Sequence, residues 1–193
     1  MINHIILALF WITYCLIHSV LAAVSVKNYF ERVLVNSFKY YRLAYNLIAF
    51  ITLIPIIIFQ FWMRQVFVFN PTIITTVIGF VLSISGAFIM IMMIWKYFLQ
   101  MIGIKLKMEK PVVKLEVSGL HKYVRHPLYL GTFMFIWGLF FIFPWWSGLI
   151  ACAIITIYTL IAIKYEEEKL ILEFGEDYKA YKSRVPMILP FLF

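Results

Sequence analysis

The sequence predicts an all-α fold, a polytopic membrane helical bundle with about five transmembrane helices. Hydrophobic residues make up 64% of the 193 residues and charged residues only 13%, whereas a soluble domain is about half apolar and about a quarter charged. The apolar residues form continuous runs, most of them near the roughly 20 residues that cross about 30 Å of hydrocarbon as a helix. A transmembrane barrel would instead need alternating segments of about ten residues. Helices pair their own backbone polar groups, as lipid requires, and are therefore predicted.

Five apolar runs follow one another along the chain, at residues 5–26, 43–63, 73–95, 128–143 and 146–163. The first run is expected to be a retained helix, because no Lys or Arg precedes it as in a signal peptide. The fourth run is short, so we expect it to borrow residues at its ends or to lie where the bilayer thins.

A tight turn separates the fourth run from the fifth. It contains Pro144, Trp145 and Trp146, and tryptophans are suited to the membrane interface. So short a turn predicts a C-terminal helical hairpin with antiparallel helices. The sequence shows no internal repeat and no linker, so residues 1–193 are predicted to form a single domain.

The charges predict how the helices are oriented. Polar segments at 27–42 and 96–126, together with an amphipathic tail at 164–193, hold 16 of the 17 Lys and Arg and all nine acidic residues. With five spans these three segments share one side, and only Arg64 lies on the other. The positive-inside rule then places the N-terminus outside and the C-terminus in the cytoplasm. The net charge of +8 is therefore interpreted as membrane topology, and no nucleic acid partner is predicted.

Three residues inside the apolar runs could carry other chemistry. Cys15 and Cys152 are interpreted as small buried hydrophobes, with no disulfide framework. Cys15 and His18 share a helix face and could bind a metal or haem, but no second pair of ligands lies in the apolar runs, so no metal site is predicted. His18 is expected to pack by hydrogen bonding or to line a substrate path, because polar residues inside a membrane are rarely idle.

Two unusual segments lie on the predicted cytoplasmic side, GLHKYVRHPLYLG at 119–131 and YEEEKLILEFG at 165–175. Pro127 suits the first position of a helix and keeps the preceding residue out of helical geometry. The positive end of that helix dipole, beside Arg125, can receive an anion. The hairpin brings Glu166 and its acidic neighbours to the same place, so a ligand carrying both charge signs would fit between them. The alternative interpretation is a pair of membrane-flanking helix ends whose charges are only solvated.

The order of residues in these segments and in the tail resembles the C-terminal signature of the isoprenylcysteine carboxyl methyltransferase family. Related membrane methyltransferases that act on phospholipid amines and on small thiols share parts of this signature. The resemblance covers about residues 110–190. The matching residues are Arg125, His126, Pro127, Tyr129, Gly131, Glu166, Glu167, Leu170, Phe174, Gly175, Tyr178, Tyr181, Val185, Pro186 and Pro190.

This resemblance implies an enzyme that uses S-adenosyl-L-methionine, a donor with a carboxylate, an ammonium and a sulfonium. Arg125 is expected to be a catalytic residue that orients or polarises the acceptor. His121 stands where the family usually has a tyrosine. The residues expected to bind the donor are Val113, Lys114, Leu115, Glu116, His121, His126, Pro127, Leu128, Tyr129, Glu166 and Glu167.

The expected reaction is methyl transfer to a lipophilic or membrane-partitioning acceptor, a small molecule or a lipid-modified one that enters from the bilayer. A thiol, an amine or a carboxylate could accept the methyl group. The prenylcysteine enzymes usually carry an arginine one turn before the glutamate pair, where this chain has Ala162. Lys164 lies about 200° around the helix from that position, so an acceptor without a carboxylate is favoured. The alternative is that a basic residue from another helix, such as Arg42, takes the place of that arginine.

Two other functions stay open at this point. One is an NADPH-dependent oxidoreductase similar to the membrane sterol reductases, which also carry an Arg-His motif near a hairpin. The His126–Pro127 step and the paired glutamates argue against it. The other is a non-enzymatic membrane adaptor with the same fold.

Overall fold

The computed structural model describes residues 1–101 and 115–189, and it is helical along most of this length. Two short 3-10 helices, Val35–Tyr40 and Gly119–Lys122, join longer elements. In the described residues the α-helices are α1 (Ile2–Ala22), α2 (Val24–Leu34), α3 (Tyr41–Trp62), α4 (Ile73–Met101), α5 (Pro127–Ile142), α6 (Trp146–Phe174) and α7 (Glu176–Lys182).

Four of these helices, α1, α3, α4 and α6, are long and apolar enough to cross a membrane, and α5 is a shorter apolar helix. The predicted all-α bundle and its five apolar helices are thus confirmed. The helices expose large side chains over most of their surface, for example Phe50 at 63% and Phe88 at 66%. Such surfaces fit an integral membrane protein, in which lipid covers what the chain itself does not.

The helix boundaries differ from the apolar runs at two places. The first run breaks at Ala23, whose backbone is extended, and α2 starts at Val24. The fifth run continues as helix beyond residue 163 to Phe174, because Glu, Lys and Leu are good helix formers even where the chain leaves the apolar region. Gly175, with a positive φ of 56°, ends α6 and turns the chain into α7.

A core forms where α1, α3 and α6 meet. Leu7, Trp11, Ile56, Met63 and Ala151 are buried there together. Elsewhere in the apolar helices, the two cysteines are buried and unpaired, as predicted.

Glycines allow α4 and α5 to approach very closely. A Cβ added at Gly86 would lie 2.6 Å from the carbonyl oxygen of Gly131, and one added at Gly138 would lie 2.7 Å from that of Gly79. Small residues permit such backbone contact between membrane helices, where packing rather than the hydrophobic effect drives association. This contact fixes the position of α5.

The turn between α5 and α6 is anchored to the loop that follows α3. The Val68 amide donates to the Pro144 carbonyl oxygen over 2.7 Å, and the Trp146 amide donates to that of Val66 over 3.0 Å. The Ser147 hydroxyl also donates to the Gln65 side chain over 2.7 Å. The predicted hairpin is confirmed, and it places the start of α5 beside the final turns of α6.

Candidate active site

The start of α5 is held by the chain that follows α7. His126 is the N-cap residue and Pro127 the first helical residue. The Arg125 amide donates to the Pro186 carbonyl oxygen over 2.9 Å, and the His126 amide donates to that of Met187 over 3.1 Å. Two amides just before the helix therefore have partners from a segment distant in sequence.

Glu167 is the centre of a buried ionic cluster. Its Oε1 accepts from Arg125 Nε over 2.7 Å and lies 3.2 Å from His126 Nε2. Its Oε2 lies 2.7 Å from Lys182 Nζ, and only 6% of its side chain is exposed. A buried carboxylate is tolerated when it is paired and hydrogen-bonded in this way.

The Arg125 side chain connects this cluster to the tail. Its NH1 group donates to the carbonyl oxygen of Lys182 over 3.1 Å and to that of Val185, and its side chain is 8% exposed. A guanidinium has five donors in a fixed fork and can serve a carboxylate and two carbonyls at once. Arg125 thus ties α6 to the segment after α7.

Glu166 has a different environment from its neighbour. Its Oε2 accepts a hydrogen bond from the Tyr129 hydroxyl over 3.0 Å and lies 3.9 Å from His126 Nδ1. Its side chain remains 45% exposed. The Glu167 carboxylate is therefore paired inside the protein, whereas the Glu166 carboxylate stays accessible.

His126 lies between the two carboxylates. Because the carboxylate of Glu167 accepts, Nε2 of His126 carries a proton and donates to it. The ring also lies 5.7 Å from that of Tyr129. His126 thus bonds to the buried carboxylate of Glu167, and its Nδ1 atom lies beyond hydrogen-bonding distance of the exposed carboxylate of Glu166.

The segment before α5 is bonded to the end of α4. Glu116 lies 3.2 Å from Lys96 Nζ, and hydrogen bonds from Ser118 lower the pKa of Glu116 to about 2. The Nδ1 atom of His121 lies 3.2 Å from the Arg125 carbonyl oxygen and must donate to it. Its Nε2 then accepts from the Tyr97 hydroxyl over 3.1 Å.

Burial lowers the pKa of His121, which agrees with this neutral tautomer. The Tyr181 hydroxyl donates to the His121 carbonyl oxygen over 2.7 Å, and burial raises the pKa of Tyr181 to about 12. His121 and Tyr181 together connect α4, α5 and α7.

The structure brings one group of predicted site residues together and leaves others apart. The group that meets around the start of α5 is Arg125, His126, Pro127, Leu128, Tyr129, Glu166 and Glu167. Glu116 and His121 are bonded to α4 instead. Leu115 lines an open cleft of about 750 Å³ with Lys122, Phe174, Asp177, Tyr181 and Arg184 among its other walls. Val113, Lys114 and Pro190 lie outside the described residues.

The opposite charges of the site are arranged differently from the prediction. The sequence predicted a positive wall at the start of α5 and a negative wall on α6, with a ligand between them. Arg125 and Glu167 pair directly with each other, because a buried charge left without a partner is very costly. Glu166 is the accessible carboxylate of this cluster.

Lys182 was not among the predicted site residues. A signal for it was present, because Tyr178, Tyr181, Lys182 and Val185 recur at the spacing of one helix face. Tyr178 and Tyr181 are buried, so this face of α7 is turned towards the protein. Periodicity alone did not indicate which carboxylate Lys182 would meet.

Comparison with known proteins shows which protein family this chain resembles. Residues 74–177, more than half of the chain, match the model of the phospholipid methyltransferase family. The methanethiol S-methyltransferase of Crocosphaera subtropica is 38% identical over 80 residues, which are 42% of this chain and 31% of that protein. Methanethiol S-methyltransferase 2 of Bradyrhizobium diazoefficiens is 40% identical over 87 residues, covering 40% of this chain and 32% of the relative.

The methanethiol S-methyltransferase of Pseudomonas deceptionensis is 40% identical over 75 residues, covering 38% and 27% of the two chains. The aligned part of this chain spans about a third or less of the length of these curated relatives. No solved structure matches the chain. The family match covers α4 to α6 with both glutamates and the start of α5, and on this basis the chain belongs to the phospholipid methyltransferase family.

Proposed function

We propose that this protein transfers a methyl group from S-adenosyl-L-methionine to a small membrane-partitioning thiol. The observation that carries the proposal is the unequal glutamate pair beside the start of α5, in a chain of a methyltransferase family. Glu167 is paired with Arg125, His126 and Lys182. Glu166 is partly exposed and accepts a hydrogen bond from Tyr129. The donor would enter from the cytoplasmic side and the acceptor from the bilayer.

The residues of the site fit such a donor. Glu166 can accept hydrogen bonds from an ammonium group or from ribose hydroxyls, and the Tyr129 hydroxyl orients it. The other proposed donor contacts are those implied by the family resemblance, from Val113 to Glu116 and at His121. When bound, the donor supplies a methyl group activated by a sulfonium. The chain then has to position the reactants and exclude water, which contribute much of the rate in such displacements.

Arg125 is proposed to act as a positioning residue. The guanidinium is buried and bonded to Glu167 and to two tail carbonyls. In this arrangement it supports the glutamate pair and the start of α5. A direct role in orienting or polarising the acceptor stays a prediction of the family resemblance.

The neighbourhood of Ala162 supports a thiol rather than a carboxylate acceptor. A carboxylate at membrane depth needs a cation nearby, because an unpaired buried charge is very costly. Ala162 is apolar, and the Lys164 side chain is exposed on the surface of α6. Arg125 and Lys182 are already paired with Glu167. Three of the similar proteins are named methanethiol S-methyltransferases, which agrees with a thiol.

Two measurements on the full chain in lipid nanodiscs test this proposal. Calorimetric titration should show binding of S-adenosyl-L-methionine and none of NADPH. With methyl-labelled donor, methanethiol should be methylated, and a prenylated cysteine with a free carboxylate should not. Binding of NADPH alone would support the reductase alternative, and donor binding without transfer to any acceptor would support an adaptor. Methylation of the prenylcysteine without the thiol would contradict the thiol assignment.

A further inference from the structure

A second polar cluster lies within the membrane bundle, between α1, α3 and α6. The Tyr45 hydroxyl lies 2.6 Å from His18 Nε2 and 3.0 Å from Nδ1. The Ser19 hydroxyl donates to the Tyr158 hydroxyl over 3.1 Å. The rings of His18 and Tyr14 are stacked with centroids 6.1 Å apart. Polar side chains within membrane helices are expensive and are commonly functional.

A small cavity opens beside the His18 imidazole. Tyr14, Tyr45 and Thr52 line it together with apolar residues of α1 and α3. Its internal space is about 10 Å³, which holds about one water-sized group. A single hydroxyl can satisfy only one of the two ring nitrogens at a time, so His18 has capacity for a ligand in this cavity.

The cluster is connected to the glutamate site through α6. The Tyr158 ring lies 6.4 Å from that of His18. Tyr158 precedes Glu166 by eight residues on the same helix, which is about 12 Å along its axis at 1.5 Å per residue. A group held at His18 would lie on the membrane side of the proposed donor.

We propose that the cavity beside His18 and Tyr45 binds the acceptor, and that the acceptor is a small thiol. This inference rests on the proposed function. An S–H group is small enough for the cavity and is a weak donor that an imidazole nitrogen can accept. A lipid head group is too large for so small a space. The hydrocarbon part of the thiol lies outside this small space, against the apolar side chains of α1 and α3 that border it.

His18 also provides a place for the thiol proton, because the thiolate is the form of sulfur that acts as a nucleophile. The S–H proton passes to a ring nitrogen of His18 and its electron pair stays on the sulfur. The sulfur then bonds to the transferred methyl carbon while the bond from that carbon to the donor sulfur breaks, with its electron pair left on the donor. The imidazolium of His18 finally releases its proton to water.

Binding can be measured without the methyl donor. The full chain carries four histidines and can be labelled with ¹⁵N in their rings and placed in nanodiscs. Adding methanethiol should shift the His18 ring signals, identified by their loss in His18→Gln, and leave those of His4 and His121 unchanged. Saturating methanethiol that leaves the His18 signals in place would overturn the inference.

Variants test the same cavity through kinetics. His18→Gln should lower kcat for methanethiol by about 10²-fold or more, as expected for a lost proton acceptor, and should leave donor affinity unchanged. His4→Gln, on the same helix, is the matched control. Tyr45→Phe keeps the ring and should raise the KM for methanethiol by about threefold to tenfold for one lost hydrogen bond. Tyr29→Phe, at an exposed position of α2, should have no effect.

Retained donor affinity shows that each variant is folded. If wild-type protein methylates methanethiol and both His18→Gln and Tyr45→Phe match it, the inference fails and the proposed function stands. If wild-type protein binds the donor and methylates no thiol, the proposed function fails, and this inference fails with it.

Discussion

Glu166 and Glu167 are adjacent in sequence, yet their environments are opposite. One helical residue turns the side chain by about 100°, so neighbouring glutamates at the end of α6 face different surroundings. Glu167 points to Arg125, His126 and Lys182. Glu166 points to Tyr129 and remains accessible. The first therefore contributes structure and the second is available for binding.

Glu166→Gln tests whether the Glu166 carboxylate binds the donor. The change removes the negative charge and keeps the size, and a hydrogen bond to a charged group contributes about 1.5–3 kcal/mol. We expect the affinity for S-adenosyl-L-methionine to fall by about tenfold or more, measured by calorimetry. Glu173→Gln, at an exposed position of the same helix, is the control and should bind normally. Unchanged affinity in folded Glu166→Gln protein would remove this residue from the donor site.

The sequence predicted which residues meet at this site better than it predicted their pairing. The short turn at Pro144 required the start of α5 to lie beside the end of α6, and this proximity is found. Whether Arg125 would face a ligand or Glu167 depended on side-chain burial, which a single sequence does not reveal. The tail carbonyls that bind Arg125 are backbone groups, and residue identity carries no signal for them.

Helices α4 and α5 show how an element can be positioned by residues that have no side chain. The pairs Gly79/Gly86 and Gly131/Gly138 each repeat after seven residues, so each pair returns to nearly the same helix face. The two faces then meet backbone to backbone. This spacing was visible in the sequence, whereas the partner of each helix was not, because several apolar helices offered similar surfaces.

Gly138→Ala should destabilise the bundle. Its added methyl group would lie 2.5 Å from the Ser83 hydroxyl oxygen and 2.7 Å from the Gly79 carbonyl oxygen, and overpacking of this kind costs about 1–3 kcal/mol. We expect a lower midpoint of thermal unfolding in detergent, followed by intrinsic tryptophan fluorescence.

Gly148→Ala is the matched control for that experiment. Its added methyl group would meet its nearest neighbours at 3.6 and 3.7 Å, an ordinary contact distance. Because alanine favours a helix over glycine by up to about 1 kcal/mol, the midpoint should stay the same or rise. Equal midpoints of thermal unfolding for the two variants would show that α4 and α5 are farther apart than the distances at Gly138 indicate.

Across the whole molecule, the proposed topology places the donor site in the cytoplasm. Ser118 and Ser183 are exposed positions on the site's side of the bundle, and Asn70 is exposed at the other end. A cysteine at Asn70 should react with a membrane-impermeant thiol reagent in intact cells. Cysteines at Ser118 or Ser183 should react only after the cells are permeabilised.

The native cysteines should give little background in this experiment, because Cys15 is 6% exposed and Cys152 is 4% exposed. Labelling at Ser118 or Ser183 from outside would reverse the orientation and would separate the site from any cytoplasmic donor. At this scale the sequence carries a clear prediction, because the one-sided distribution of charge depends on the number of spans.

The start of α5 receives its backbone acceptors from Pro186 and Met187, and this has a consequence for shortened chains. Both acceptors lie beyond α6 and α7, so a chain that ends at Val185 keeps all the apolar helices of the described residues and lacks both acceptors. Such a chain is expected to insert in the membrane and yet lack a finished pocket. It should resist extraction from the membrane and fail to retain S-adenosyl-L-methionine, whereas the full chain should retain the donor. Formation of the pocket would then depend on the tail, and membrane insertion would not.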